Sequence, residues 1–163
     1  MLKTIVTLAL LAPLAAHACP KSLVGNYVVY GTKSSPSWND ARAGLVSVGP
    51  ISGGVGSITA QSFVYSGSGT DGSHSGDRNE VAGIAARYTY DGKCAGYLWQ
   101  PDEDDDSKLQ VQFFYVSDKG AQIVLIDGPT GVAKNSAGNP VLPLPTEWEN
   151  RDSESGITIF RKQ

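Results

Sequence analysis

The chain is poor in the residues from which most metal centres and nucleophilic active sites are built: it has two cysteines, two histidines and one methionine in 163 residues. Zinc and copper sites draw on several Cys and His ligands at once. One histidine, His17, falls in the leader described below, leaving His74 alone, so no transition-metal site is expected. Basic residues are also scarce, 13 against 16 acidic ones, for a net charge of −3. That balance gives no electrostatic footprint for nucleic acid or anionic lipid. No apolar run reaches the roughly 20 residues that a membrane-spanning helix needs. There is no Asn-x-Ser/Thr acceptor for N-glycosylation, no repeat at solenoid or propeller spacing, and no convincing helical periodicity.

The first residues are those of a secretory leader. Lys3 precedes an apolar run from Ile5 to Ala16, broken only by Thr7 and Pro13, and Ala16-His17-Ala18 is a small-x-small cleavage site. Cleavage after Ala18 of the 163-residue chain leaves 145 residues, the size of one domain over 19–163. Acylation of Cys19 is the rival reading, but Ala16 and His17 stand where a lipoprotein signal carries Leu and a small residue. An exported chain with two thiols is normally oxidised, which pairs Cys19 with Cys94. Such a loop closure stabilises by about 4 kcal/mol in the chain-entropy model and leaves no free thiol.

Glycine is abundant, at 19 residues, and short runs of apolar residues alternating with polar ones are separated by Gly, Ser, Asp and Asn. This is the pattern of strands and turns. Strands are expected over Leu23–Tyr30, Ala43–Val48, Gly56–Ser66, Val81–Tyr90, Cys94–Trp99, Leu109–Val116, Gln122–Ile126 and Ile157–Arg161. Asp91-Gly92 suits a tight hairpin, and Ser117–Gly120 makes another short one. On the fourth strand Ile84, Ala86, Tyr88 and Tyr90 share a face. On the sixth, Leu109, Val111, Phe113 and Tyr115 do so, opposed by Gln110 and Gln112. The expected fold is all-β, an antiparallel up-and-down barrel of about eight strands, with a β-sandwich as the alternative. Gly67–Asn79, the acidic stretch Pro101–Lys108 and the long Gly128–Gly156 connection read as irregular; the last is a candidate lid.

Several constellations bear on chemistry. His74 lies among serines and aspartates, the residue types of a hydrolase triad, but with no recognisable nucleophile spacing, so an ordinary solvated loop is the simpler reading. Asp102 to Asp106 form an acidic run that suits calcium's preference for carboxylate oxygen. An EF-hand glycine and terminal glutamate are missing, and a charged, solubilising tip explains the run as well. Glu147 and Glu149 flank Trp148, an arrangement compatible with sugar chemistry or with an aromatic peg holding the loop. The aromatic residues on strands are the most suggestive feature. Tyr27, Tyr88, Tyr90, Phe113 and Tyr115 either line a ligand cavity or fill a core. Arg87 would anchor an anionic ligand if its face turned inward.

Gly25-Asn26-Tyr27 on the first strand, with Arg161 on the last, resembles the lipocalin and fatty-acid-binding superfamily. Tyr27 stands for the tryptophan of that group's Gly-x-Trp. The resemblance implies that Arg161 packs across the first-strand aromatic at the barrel bottom, and that one small ligand is held inside. The Gly53–Gly56 and Asp91–Gly96 turns are also similar to secreted microbial β proteins that imply no activity. Three functions follow as expectations. One is a secreted barrel carrying a small, mainly apolar ligand at Tyr27, Tyr88, Tyr90, Phe113, Tyr115, Arg87 and Trp148. The second is a secreted interaction protein using the barrel as scaffold. The third is an isomerase or glycan-active enzyme, which needs an ionisable group with a strongly shifted pKa beside the cavity. No cofactor is implied.

Overall fold

β-Branched and aromatic residues, alternating with small or polar ones, put the backbone into strands whose two faces meet different surroundings. In a computed structural model, which describes residues 18–34, 38–69, 76–80, 85–102, 105–145 and 155–163, ten strands form. They are β1 (Gly25–Ser34), β2 (Trp38–Val48), β3 (Gly56–Gly69), β4 (Gly76–Glu80), β5 (Ala85–Tyr90), β6 (Ala95–Pro101), β7 (Lys108–Ser117), β8 (Gln122–Asp127), β9 (Val132–Ala133) and β10 (Ser155–Lys162). All pairings are antiparallel. The ladder runs β2-β1-β10-β8-β7-β6-β5-β3, and β3 pairs back onto β2. Eight strands therefore close into a barrel, which removes the sandwich alternative; β4 adds to β3 and β9 to β7. A closed antiparallel barrel of this order fits the lipocalin and fatty-acid-binding resemblance.

The stretch Gly67–Asn79 departs from the irregular reading. Gly67 pairs with Gly76 and Phe63 with Glu80, so both ends of the stretch belong to a ladder. Backbone hydrogen bonds hold this pair where side chains offer no apolar pattern to read. Residues 70–75, with His74, lie outside the described residues, as do residues 1–17 of the proposed 1–18 leader and Trp148 with Glu147 and Glu149.

The two ends of the barrel differ. At the lower end, where β2–β3, β5–β6 and β7–β8 are joined, the segment before β1 folds across the opening. Leu23 is buried there, and Cys19 is bonded to Cys94 with Cα atoms 5.0 Å apart. Above this plug the interior is filled by Tyr27, Val29, Val46, Ile58, Ala86, Tyr88, Leu98, Phe114, Ile123, Leu125 and Phe160. Glycines opposite aromatics make the packing possible. Gly56 pairs with Tyr88 and Gly96 with Phe114, and a Cβ at either glycine would lie 2.1 Å or 2.4 Å from the partner ring.

A second apolar cluster, Trp99, Leu109, Val111 and Val132 with Val55, Tyr97 and Leu144 packed against it, lies on the outside of the barrel wall. The connection after β8 straps over it. Trp99 Nε1 donates to Gly138 O (3.1 Å) and Arg87 Nη1 donates to Ala137 O (2.8 Å). Asp102, buried at the head of the acidic stretch, accepts from Gly131 N (2.8 Å). The strap therefore covers the wall of β5, β6 and β7 and is not placed over the barrel mouth by these contacts.

Candidate functional site

Interior positions follow from the register. Leu98, Phe114, Val116, Ile123 and Leu125 are core residues, so those in phase with them on β6, β7 and β8 also face inward: Gln100, Gln110, Gln112 and Asp127. On β2 the inward set beyond Val46 is Gly44, Arg42 and Asp40, and on β10 it includes Thr158. All of these sit in the upper half, away from the disulfide and the plug. The interior therefore changes character along its axis, from packed hydrocarbon below to amides, carboxylates and a guanidinium above.

Exposure changes in step. Tyr27, Val29, Tyr88 and Phe114 are almost wholly buried, whereas the Arg42 and Asp40 side chains are 18% and 15% accessible and Gln100, Gln110, Gln112, Asp127 and Thr158 are all partly exposed. The upper inward positions are thus more open to solvent than most of the lower ones. The polar groups there are ordered in pairs. Arg42 Nη2 donates to Asp40 Oδ2 at 3.1 Å, Gln100 Nε2 to Gln110 Oε1 at 3.2 Å, and Gln112 Nε2 to Asp127 Oδ1 at 3.0 Å. The second carboxylate oxygen of Asp127 is buried and has no hydrogen-bond partner.

The residues singled out from sequence separate into three places. Tyr27, Tyr88 and Tyr90 face inward but belong to the packed lower half: Tyr27 Oη donates to Leu23 O (2.7 Å), Tyr88 Oη to Gly49 O (2.8 Å), and Tyr90 stacks on Phe114 with centroids 6.3 Å apart. Burial, together with Tyr88, pushes the Tyr27 phenol up to about 12, and burial raises Tyr88 and Tyr90 as well. Phe113 and Tyr115 point out of the barrel, because the apolar face they share with Leu109 and Val111 is the outer one; Tyr115 is 59% exposed. Arg87 is also outside and exposed, tied to the strap through Ala137 and Asn139.

The first-strand aromatic is covered by a cation, but not the expected one. Lys162 Nζ lies 5.9 Å from the Tyr27 ring centroid and donates to Val24 O. Tyr27 pairs with Lys162, whereas Arg161 pairs with the outward Val28 and is exposed. A one-residue step along a strand reverses the face, and this moves the role to Lys162. In the acidic stretch, Asp105 accepts from the Ser107 backbone and hydroxyl and stands 3.6 Å from Lys108. Those bonds hold its carboxyl below the usual carboxylate range. Its oxygens are spent on its own turn, and Asp102 is spent on the strap.

The polar upper set was within reach of sequence reasoning. Gln110 and Gln112 alternate with apolar residues, but the larger apolar face of that strand was the more natural choice for the interior. The strap that covers the outer face reverses this logic and leaves no short-range signal.

No protein-family profile matches the chain, and a search of curated proteins finds no match. Among solved structures, the redesigned β-barrel mFAP1, bound to DFHBI, is similar to this chain with a TM-score of 0.45 and 16% sequence identity, covering 86% of this chain and 94% of that one.

Proposed function

We propose that the protein is a secreted carrier barrel that holds one small molecule in the upper half of its interior, with an apolar body and at least one polar group. The observation that carries this reading is the change along the barrel axis. The lower half is plugged and packed, while the upper half presents ordered, partly exposed amides, Arg42 and two carboxylates on its inner wall. Small-molecule sites combine apolar walls with a few fixed polar groups in this manner. The Cys19–Cys94 disulfide suits an oxidising compartment, and the leader over 1–18 would deliver the chain there. The ligand site thus moves away from Tyr27 and Tyr88, which serve as its floor. Native mass spectrometry of the secreted protein, followed by denaturing extraction, tests the reading. A bound molecule that is lost on Gln112→Leu and kept on Tyr115→Ala supports it; a bare chain from every expression host contradicts it.

A second reading has its own observation. On the outer wall Tyr115, Val124, Ile159, Tyr30, Ala43 and Val64 follow one another through successive strand pairings. Exposed Ile126 and Ile157 pair in the next row. A continuous apolar surface of this extent is a mark of protein–protein contact. It favours a secreted interaction protein. Binding of a macromolecular partner that is abolished by Tyr115→Asp and indifferent to Gln112→Leu would select that reading.

A further inference from the structure

We infer that the upper interior selects ligands carrying a positively charged nitrogen, and that Asp127 is the residue that reads it. This inference rests on the carrier reading above. Asp127 is the last residue of β8, in phase with Ile123 and Leu125 of the core. One of its carboxylate oxygens is held by Gln112 across the β7–β8 pair, which fixes the plane of the group. The other oxygen is buried and unpartnered. An unsatisfied buried acceptor is costly, and the cost is relieved when a donor arrives.

The remaining charges favour a cation. The guanidinium of Arg42 is engaged by Asp40 on its own strand, 3.1 Å away, whereas Asp127 makes no ion pair among the described residues. Gln100 and Gln110, bonded to each other on the neighbouring strands, extend the polar wall beside Gln112. They offer neutral amides, which suit an N–H group and give an anion no counter-charge. An ammonium or amidinium would donate to the open oxygen of Asp127 in a charge-assisted bond, roughly twice as strong as a neutral one.

The test uses the oxidised secreted chain and three six-carbon probes: hexylammonium, hexanol and hexanoate. Binding is followed by the side-chain amide NMR signals of Gln112 and Gln100. Hexylammonium is expected to bind about tenfold or more tighter than hexanol, the size of one charge-assisted hydrogen bond, with hexanoate weakest. Asp127→Asn should remove that preference, so that hexylammonium binds no tighter than hexanol. The wild-type preference needs no variant, so it stands as a test even if the substitution unfolds the chain. Equal or tighter binding of hexanoate, or an undiminished preference in Asp127→Asn, overturns the inference and leaves the carrier reading intact. If no probe, hexanol included, moves the interior signals, the inference and the carrier reading fail together.

Discussion

Tyr27 shows how one side chain joins the plug to the barrel. Its hydroxyl donates to Leu23 O, its ring meets Phe160 at 6.3 Å, and Lys162 lies over its face. Tyr27→Phe keeps the ring and removes the bond, so a loss of about 1 kcal/mol is expected in urea unfolding, with Leu23 left short of a donor. The raised phenol also sets a pH limit. Its folded-state pKa, about 12, lies above the unfolded value of 10.0, so the unfolded chain loses that proton first. The stability involved is complete below pH 10 and is lost as pH climbs toward 12. Phenolate absorbance and unfolding should report that loss together, and a buried phenol that ionises at its ordinary value without unfolding would contradict it. Gly56 is the converse case, a residue needed for what it lacks. Gly56→Ala puts a methyl group into the Tyr88 ring, and overpacking of this kind costs about 1–3 kcal/mol.

At the scale of elements, the strap and the two kinds of barrel wall decide the architecture. Asp102→Ala removes the acceptor for Gly131 N. The strap amides from Gly131 to Gly138 should then exchange hydrogen faster, while the β7–β8 amides remain protected. Uniform protection across both regions would show that the strap does not depend on this carboxylate. Strand existence was largely legible, because runs such as Leu109–Val116 and Gln122–Ile126 carry their own β pattern, and Asp91 accepts from Lys93 N in the turn that its sequence announces. Which face turns inward was not. Val28, Val29 and Tyr30, or Phe113, Phe114 and Tyr115, are apolar on both faces, and period-2 reading is silent when both faces look alike. The inward choice is made by closure and by the strap, both long-range. For the same reason Gln112 and Asp127, which meet across a hairpin, were hidden while Tyr88 was conspicuous. The Lys162 position over Tyr27 was missed by a single step along β10.

For the whole molecule, the disulfide and the plug close one end while the other presents the candidate site. Replacing both Cys19 and Cys94 by Ser should cost about 4 kcal/mol by the chain-entropy argument, read as an earlier denaturant midpoint that matches wild type under reducing conditions. The pairing was legible because a chain with two cysteines leaves one choice of internal disulfide. The polarity gradient required the closed ring. A small molecule seated in the upper interior would show itself in nuclear Overhauser contacts from hexanol, or from any co-purified ligand. Contacts to Thr158 and the Gln112 side chain are expected, with none to Tyr115 or Ile157. Contacts confined to Tyr115, Ile157 and the outer wall would contradict that placement and make that wall the functional surface.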